Sequence, residues 1–141
     1  MSAYRLNMPL GYAGGISRSL HDVVETHVAS GSINFGDAVK LDANAKAAKA
    51  TGSDAVYGFA VRPFPTQVES FSAGDQVSVM RQGYMVVQLD ASSDNAAKGG
   101  TVYLTSTGTI SATSTSNTAI TGATFTMAAT AGDMVEIAYR V

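Results

Sequence analysis

The sequence predicts an all-β fold: a compact barrel- or sandwich-like β domain with an extended N-terminal arm. Three observations carry this expectation. One phrase recurs four times, short alternating segments follow one another at strand spacing, and the first fifteen residues are too broken for regular structure. The phrase is Gly, two residues, Val, one residue, then an aliphatic. It occurs as GDAVKL from Gly36, GDQVSV from Gly74, GGTVYL from Gly99 and GDMVEI from Gly132. Gly, often with Asp, suits a turn that needs positive φ. The Val-x-aliphatic that follows has the period of two of a half-buried strand. A Gly-Asp loop holding a metal or a phosphate would need further flanking ligands or a Gly-Lys-Ser/Thr sequence, and neither is present. The phrase therefore reads as the opening of a strand.

Each opening leads into further strand-like sequence. Val39 and Leu41 precede AKAAKAT (Ala45 to Thr51), and Val102 and Leu104 precede GTISAT (Gly108 to Thr113). AVYGFAV (Ala55 to Val61) and ATFTMAA (Ala123 to Ala129) come next, and each half closes on its own Ala-Gly-Asp-x-Val. Spacing of about 8–12 residues between strands favours a sandwich or barrel. The expected division is an arm over 1–15 and one β domain over 16–141, built of two similar units at about 36–80 and 99–141. Ala and Lys favour helix by propensity, but AKAAKAT is short, lacks a cap and lies between β segments, so it reads as strand. Ser17 to Ala29 fits two patterns. Ile16, Leu20, Val23, Val24 and Val28 share a helical face, whereas VVETHVA alternates as a strand, and its β-branched content favours strand for the second half.

The arm carries Tyr4, Leu6, Met8, Leu10 and Tyr12 among Pro9, Gly11, Gly14 and Gly15. It is too apolar for a solvated tail, so it is expected to lie on its own barrel, a neighbouring subunit or a larger partner. From Gly99 to Gly132 there is no charged residue and no histidine. Strands without gatekeeping charge tend to pair with other chains, and an assembly would cover them.

Composition narrows the function classes. The chain has 141 residues, a net charge of −2 and no cysteine. One domain is the default at this length, and disulfides and thiolate metal sites are excluded. A nucleic-acid binder would show a basic face. No apolar run approaches the ~20 residues of a membrane span, and the N-terminus lacks the pattern of a signal peptide. Charged residues are 14% of the chain against 45% hydrophobic, a balance that points to a partly covered surface. Catalytic constellations are not evident. His21 and His27, with Asp22 and Glu25 nearest, do not make a convincing metal set. There is no nucleophile elbow and no nucleotide-binding glycine motif. No catalytic residue, metal ligand or cofactor is expected.

The most distinctive stretch is YGFAVRPFPTQ, Tyr57 to Gln67. Pro63 and Pro65 restrict their predecessors to extended conformations, so Arg62 and Phe64 are held stiffly as candidate contact anchors. This stretch resembles the central block of the tailed-bacteriophage structural cement, or capsid decoration, proteins. MPLGYAGGISR (Met8 to Arg18) is similar to that family's opening. RQGYMVVQLDA (Arg81 to Ala91), AAKGGTVYL (Ala96 to Leu104), GATF and VEIAYRV resemble its later blocks, in order. The Ser/Thr-rich segment near 105–118 is a departure.

The resemblance implies an all-β protein on the outer surface of the virion, made in the bacterial host cytoplasm. It would brace the major capsid protein as a homo-oligomer, a trimer before a dimer, without nucleic acid, membrane or cofactor as partners. Taken with the residue pattern, it marks Leu6, Met8, Leu10, Tyr12, Arg18, Arg62, Phe64, Arg81 and Tyr84 as candidate capsid or subunit contacts. The alternative is a non-catalytic carbohydrate-binding β module on a virion surface. The absence of Trp, and Tyr residues that sit mostly inside strand patterns, count against it.

Overall fold

The computed structural model of the chain describes residues 11–63 and 70–141, apart from the side chains of Ser19, Leu20 and His21. Leu6, Met8, Leu10 and Phe64 lie outside the described residues. Among the described residues there are eleven strands and no helix. They are β1 (Ile16–Val28), β2 (Ile33–Asn34), β3 (Ala38–Leu41), β4 (Ala47–Lys49), β5 (Gly58–Ala60), β6 (Ser70–Phe71), β7 (Gln76–Gln88), β8 (Thr101–Leu104), β9 (Ile110–Ser111), β10 (Thr118–Phe125) and β11 (Met134–Tyr139). The fold is all-β, as expected. Ser17 to Val28 is strand throughout, so its helical pattern is not used, and AKAAKAT supplies β4.

The recurrent phrase folds the same way each time. Gly36, Gly74, Gly99 and Gly132 have φ of 86°, 90°, 83° and 87°. The residue after each glycine donates its N–H to the carbonyl three residues back: Asp37 to Asn34, Asp75 to Ser72, Gly100 to Ala97 and Asp133 to Thr130. The residue before each glycine does not have positive φ, so all four are type II turns with the required glycine at the third position. Asp37 and Asp75 also accept the N–H of the first turn residue. Val39, Val77, Val102 and Val135 are then fully buried. The Gly-Asp signal is architecture.

One nine-stranded sheet runs β4-β3-β5-β7-β11-β10-β8-β9, with β1 on the other edge of β7, and β2 pairs with β6. The sheet curls into two circuits. In the first, β1, β7, β5, β3 and β4 are successive neighbours, and a parallel bridge of Ala29 with Ala47 returns the path to the end of β1. In the second, β7, β11, β10, β8 and β9 follow one another, and a parallel bridge of Leu89 with Ile110 returns the path to the end of β7. Small antiparallel pairs precede the long strands in both: Ile33 with Phe71, and Ala96 with Ala129.

Each circuit encloses a core. Ile33, Phe35, Val39, Phe71, Val77 and Val79 fill the first. Met85, Val87, Leu89, Leu104, Phe125, Ile137 and Tyr139 belong to the second and larger. The shared strand β7 feeds both, so the two cores form one packed body. The last residues of the arm join this body: Gly14 donates to Val86, Val86 donates back to Gly15, and Arg62 donates to Gly14.

Candidate contact surface

The arginines singled out in the sequence each lie over an aromatic ring, on different elements. Arg62 follows β5 and is fixed through its backbone to Gly14. Its guanidinium carbon is 4.8 Å from the ring centre of Tyr12 and 5.4 Å from that of Phe35. Phe35 in turn meets Phe71 edge-on at 5.1 Å. Gly14 makes this junction feasible. A Cβ there would lie 2.8 Å from the Gly36 nitrogen, so only glycine lets the arm pass so close to the Phe35–Gly36 turn. Tyr12 is 70% exposed. Tyr12 and Arg62, with Phe35, Asn34, Gln88 and Met134, line a surface cleft of about 370 Å³. A rigid aromatic with a stacked arginine at the rim of a cleft is the composition of an interface anchor.

Arg18 and Tyr84 also come together, 4.5 Å from guanidinium carbon to ring centre, as register partners on β1 and β7. Arg18 reaches across β7 to Glu136 on β11, with its NH2 nitrogen 2.8 Å from Oε1 and Nε 3.3 Å from Oε2. Ser17 donates to Oε2, and Thr126 donates to Oε1 at 2.6 Å. Burial pushes the Glu136 carboxyl up, but the bonds from Ser17, Thr126 and Arg18 outweigh it and hold the group below its usual range. The cluster clasps the start of β1, where the arm leaves the domain, onto β11.

Arg81 on β7 stacks on Tyr57, 3.6 Å from its ring centre. The Tyr57 hydroxyl donates to Glu25 on β1, and His27 lies 3.2 Å from the same carboxylate and edge-on to Tyr57. The bond from Tyr57, then that to His27, lowers the Glu25 carboxyl below its usual value. His27 is thus mostly covered. No group of three or more His, Asp or Glu side chains among the described residues could hold a metal.

The sequence missed Glu136, Tyr57 and Phe35 as partners of its arginines. Their separations along the chain are long, and no local motif links them. Glu136 in VEIAYRV carried one usable signal, a carboxylate inside an otherwise apolar strand.

The fold and this surface define an all-β scaffold with arginine–aromatic contact points. A sequence model described as "Structural cement protein (E217 gp24/Pam3 gp6)" matches residues 1–140, and the chain belongs to that phage structural cement protein family. Among solved structures, a chain of "The capsid of Myoviridae Phage XM1" is similar to it with a TM-score of 0.71 at 18% identity, over 94% of this chain and 91% of that one. Among curated protein sequences, none matches. The protein is a capsid-associated structural component of a bacteriophage virion.

Proposed function

We propose that this chain binds the outside of the phage head and stabilises the lattice of the major capsid protein, as a homo-oligomer. The observation that carries the reading is the Tyr12–Arg62–Phe35 stack at the root of the arm, built on a glycine-only crossing, with Tyr12 exposed beside a cleft. Its rigidity lowers the ordering cost of binding. Cementing then works by mass action: a protein that binds the assembled shell and not its dissociated parts stabilises the shell. Several weak contacts per oligomer add through avidity. In this reading the oligomer is a trimer before a dimer, made in the host cytoplasm and then attached to the head surface, and the family resemblance supports it. No catalytic residue or cofactor enters this reading, and the Arg18, Arg81 and Tyr84 stacks serve as further contacts.

The test is co-sedimentation with undecorated heads. Replacing both Tyr12 and Arg62 with Ala is expected to lower occupancy at least tenfold, from the ~2 kcal/mol typical of an interface hot spot, with an unchanged β spectrum. Unchanged occupancy in the folded double variant would contradict the assignment.

A further inference from the structure

A second cleft, of about 290 Å³, opens beside the one at Tyr12 and Arg62. The two share Ala13, Asn34, Phe35 and Gln88, so they form one groove along the seam between the two circuits. Its ends carry opposite charges that the domain leaves uncompensated. At one end is Arg62, stacked on rings and with no carboxylate of the described residues within pairing distance. The other end holds two carboxylates and one ammonium, those of Asp37, Asp90 and Lys49. Lys49 is committed to Asp37, with Nζ 3.7 Å from Oδ2. Its stem lies tight against the next turn, where a Cβ on Gly108 would be 2.6 Å from Lys49 Cε. Asp90 pairs with no described cation. Neutral donors hold it instead: the Thr109 hydroxyl at 3.2 Å on Oδ2 and the Ser92 N–H at 3.3 Å on Oδ1. Its own N–H bonds the Ile110 carbonyl at 2.8 Å, beside the bridge that closes the second circuit. Asp90 is therefore a half-buried carboxylate, fixed in place and short of a positive partner.

We propose that this groove takes an extended segment of the major capsid protein, with an acidic side chain at Arg62 and a lysine or arginine on Asp90. The inference rests on the capsid reading and adds the chemistry of the partner to it. Charge complementarity selects the occupant, because the segment supplies at each end the charge that the groove lacks. The shared middle suits a backbone. Asn34 and Gln88 are exposed there, and their amides can bond the N–H and C=O groups that an extended chain presents. Opposite charges at the two ends then fix the direction and register of the segment. Because Asp90 is already held by Thr109 and Ser92, little ordering cost remains when the cation arrives.

The test uses the full chain and undecorated heads. Asp90→Asn keeps the shape of the side chain and the bond from Thr109 while removing the charge. It is expected to weaken binding about tenfold, the order of one interfacial charge pair, and Asp90→Lys should bind more weakly still. Asp94→Asn, exposed on the same loop but outside the cleft, should bind as wild type. All three should keep the β spectrum. The chain has no cysteine, so Ala91→Cys, at the exposed rim beside Asp90, supplies a single thiol for a benzophenone label. Irradiating the decorated heads is expected to join the label to a capsid-protein peptide that contains Lys or Arg. Two results would overturn the proposal. One is wild-type binding by both Asp90 variants while the Tyr12, Arg62 double variant fails to bind, which leaves the capsid reading standing. The other is a cross-link to residues 1–10 of this chain, or none to the capsid protein. Wild-type protein that does not bind heads at all would bring down the capsid reading, and this proposal with it.

Discussion

Glu136 is the residue whose chemistry is most constrained. It is 6% exposed, and both its oxygens are filled by Arg18 and two hydroxyls. Removing the charge strands Ser17, Thr126 and Arg18 at once. Its folded pKa lies below the ordinary 4.5, so the carboxylate contributes stability above that value and loses it as pH falls through the depressed folded pKa. Glu136→Gln is therefore expected to cost about 1–3 kcal/mol at pH 7. The gap to wild type should be narrower at pH 3, because below 4.5 the unfolded chain takes up the proton that the folded carboxylate resists. Urea unfolding at the two pH values measures this, and an equal gap at both would contradict the account. Arg18, by contrast, is half-exposed, so its loss alone should cost less because water can replace it at the rim.

At the scale of elements, β5 depends on one glycine. A Cβ on Gly58 would lie 2.4 Å from the Met80 carbonyl and 2.6 Å from Val79 Cγ1. Neither can yield without breaking the β5–β7 ladder that walls the first core. Gly58→Ala is expected to cost about 3 kcal/mol or more, read as a large drop in denaturation midpoint. A variant within 1 kcal/mol of wild type would show that β5 is not held as described. The turns show what sequence can carry. All four Gly-x-x-Val openings were legible, because type II geometry demands glycine and burial demands the Val. The shared role of β7 was not legible. The first expected unit ended at about residue 80, inside this strand, and nothing local shows that Val77 and Val87 face different cores. Ser17 to Val28 was ambiguous for a related reason: one apolar pattern served both periodicities, and only pairing with β7 decided between them.

For the whole molecule, the fold and the family were legible in the ordered motifs, while the surface was legible only in part. Arg18 with Tyr84 and Arg62 with Tyr12 were marked as separate contacts and prove to be pairs. The valines of β1 fitted a helical face and a strand alternation alike, and their exposure was not legible, because exposure along a sheet is set by topology. Gly14 and Gly15 are hydrogen-bonded into the domain at Val86 and Arg62, and Tyr12 lies over Arg62, so a truncation that tests the arm should remove residues 1–10 only. That variant is expected to keep its β spectrum and lose retention on heads, and full retention would reduce the arm to a tail. The most direct measurement of the central claim is the thermal disruption of undecorated heads with and without saturating protein, alongside a reconstruction of the decorated particle. The account predicts density on the outer surface and a raised disruption temperature that returns to baseline with the Tyr12, Arg62 double variant. Heads that disrupt at the same temperature with the protein bound, or density confined to the interior, would contradict it.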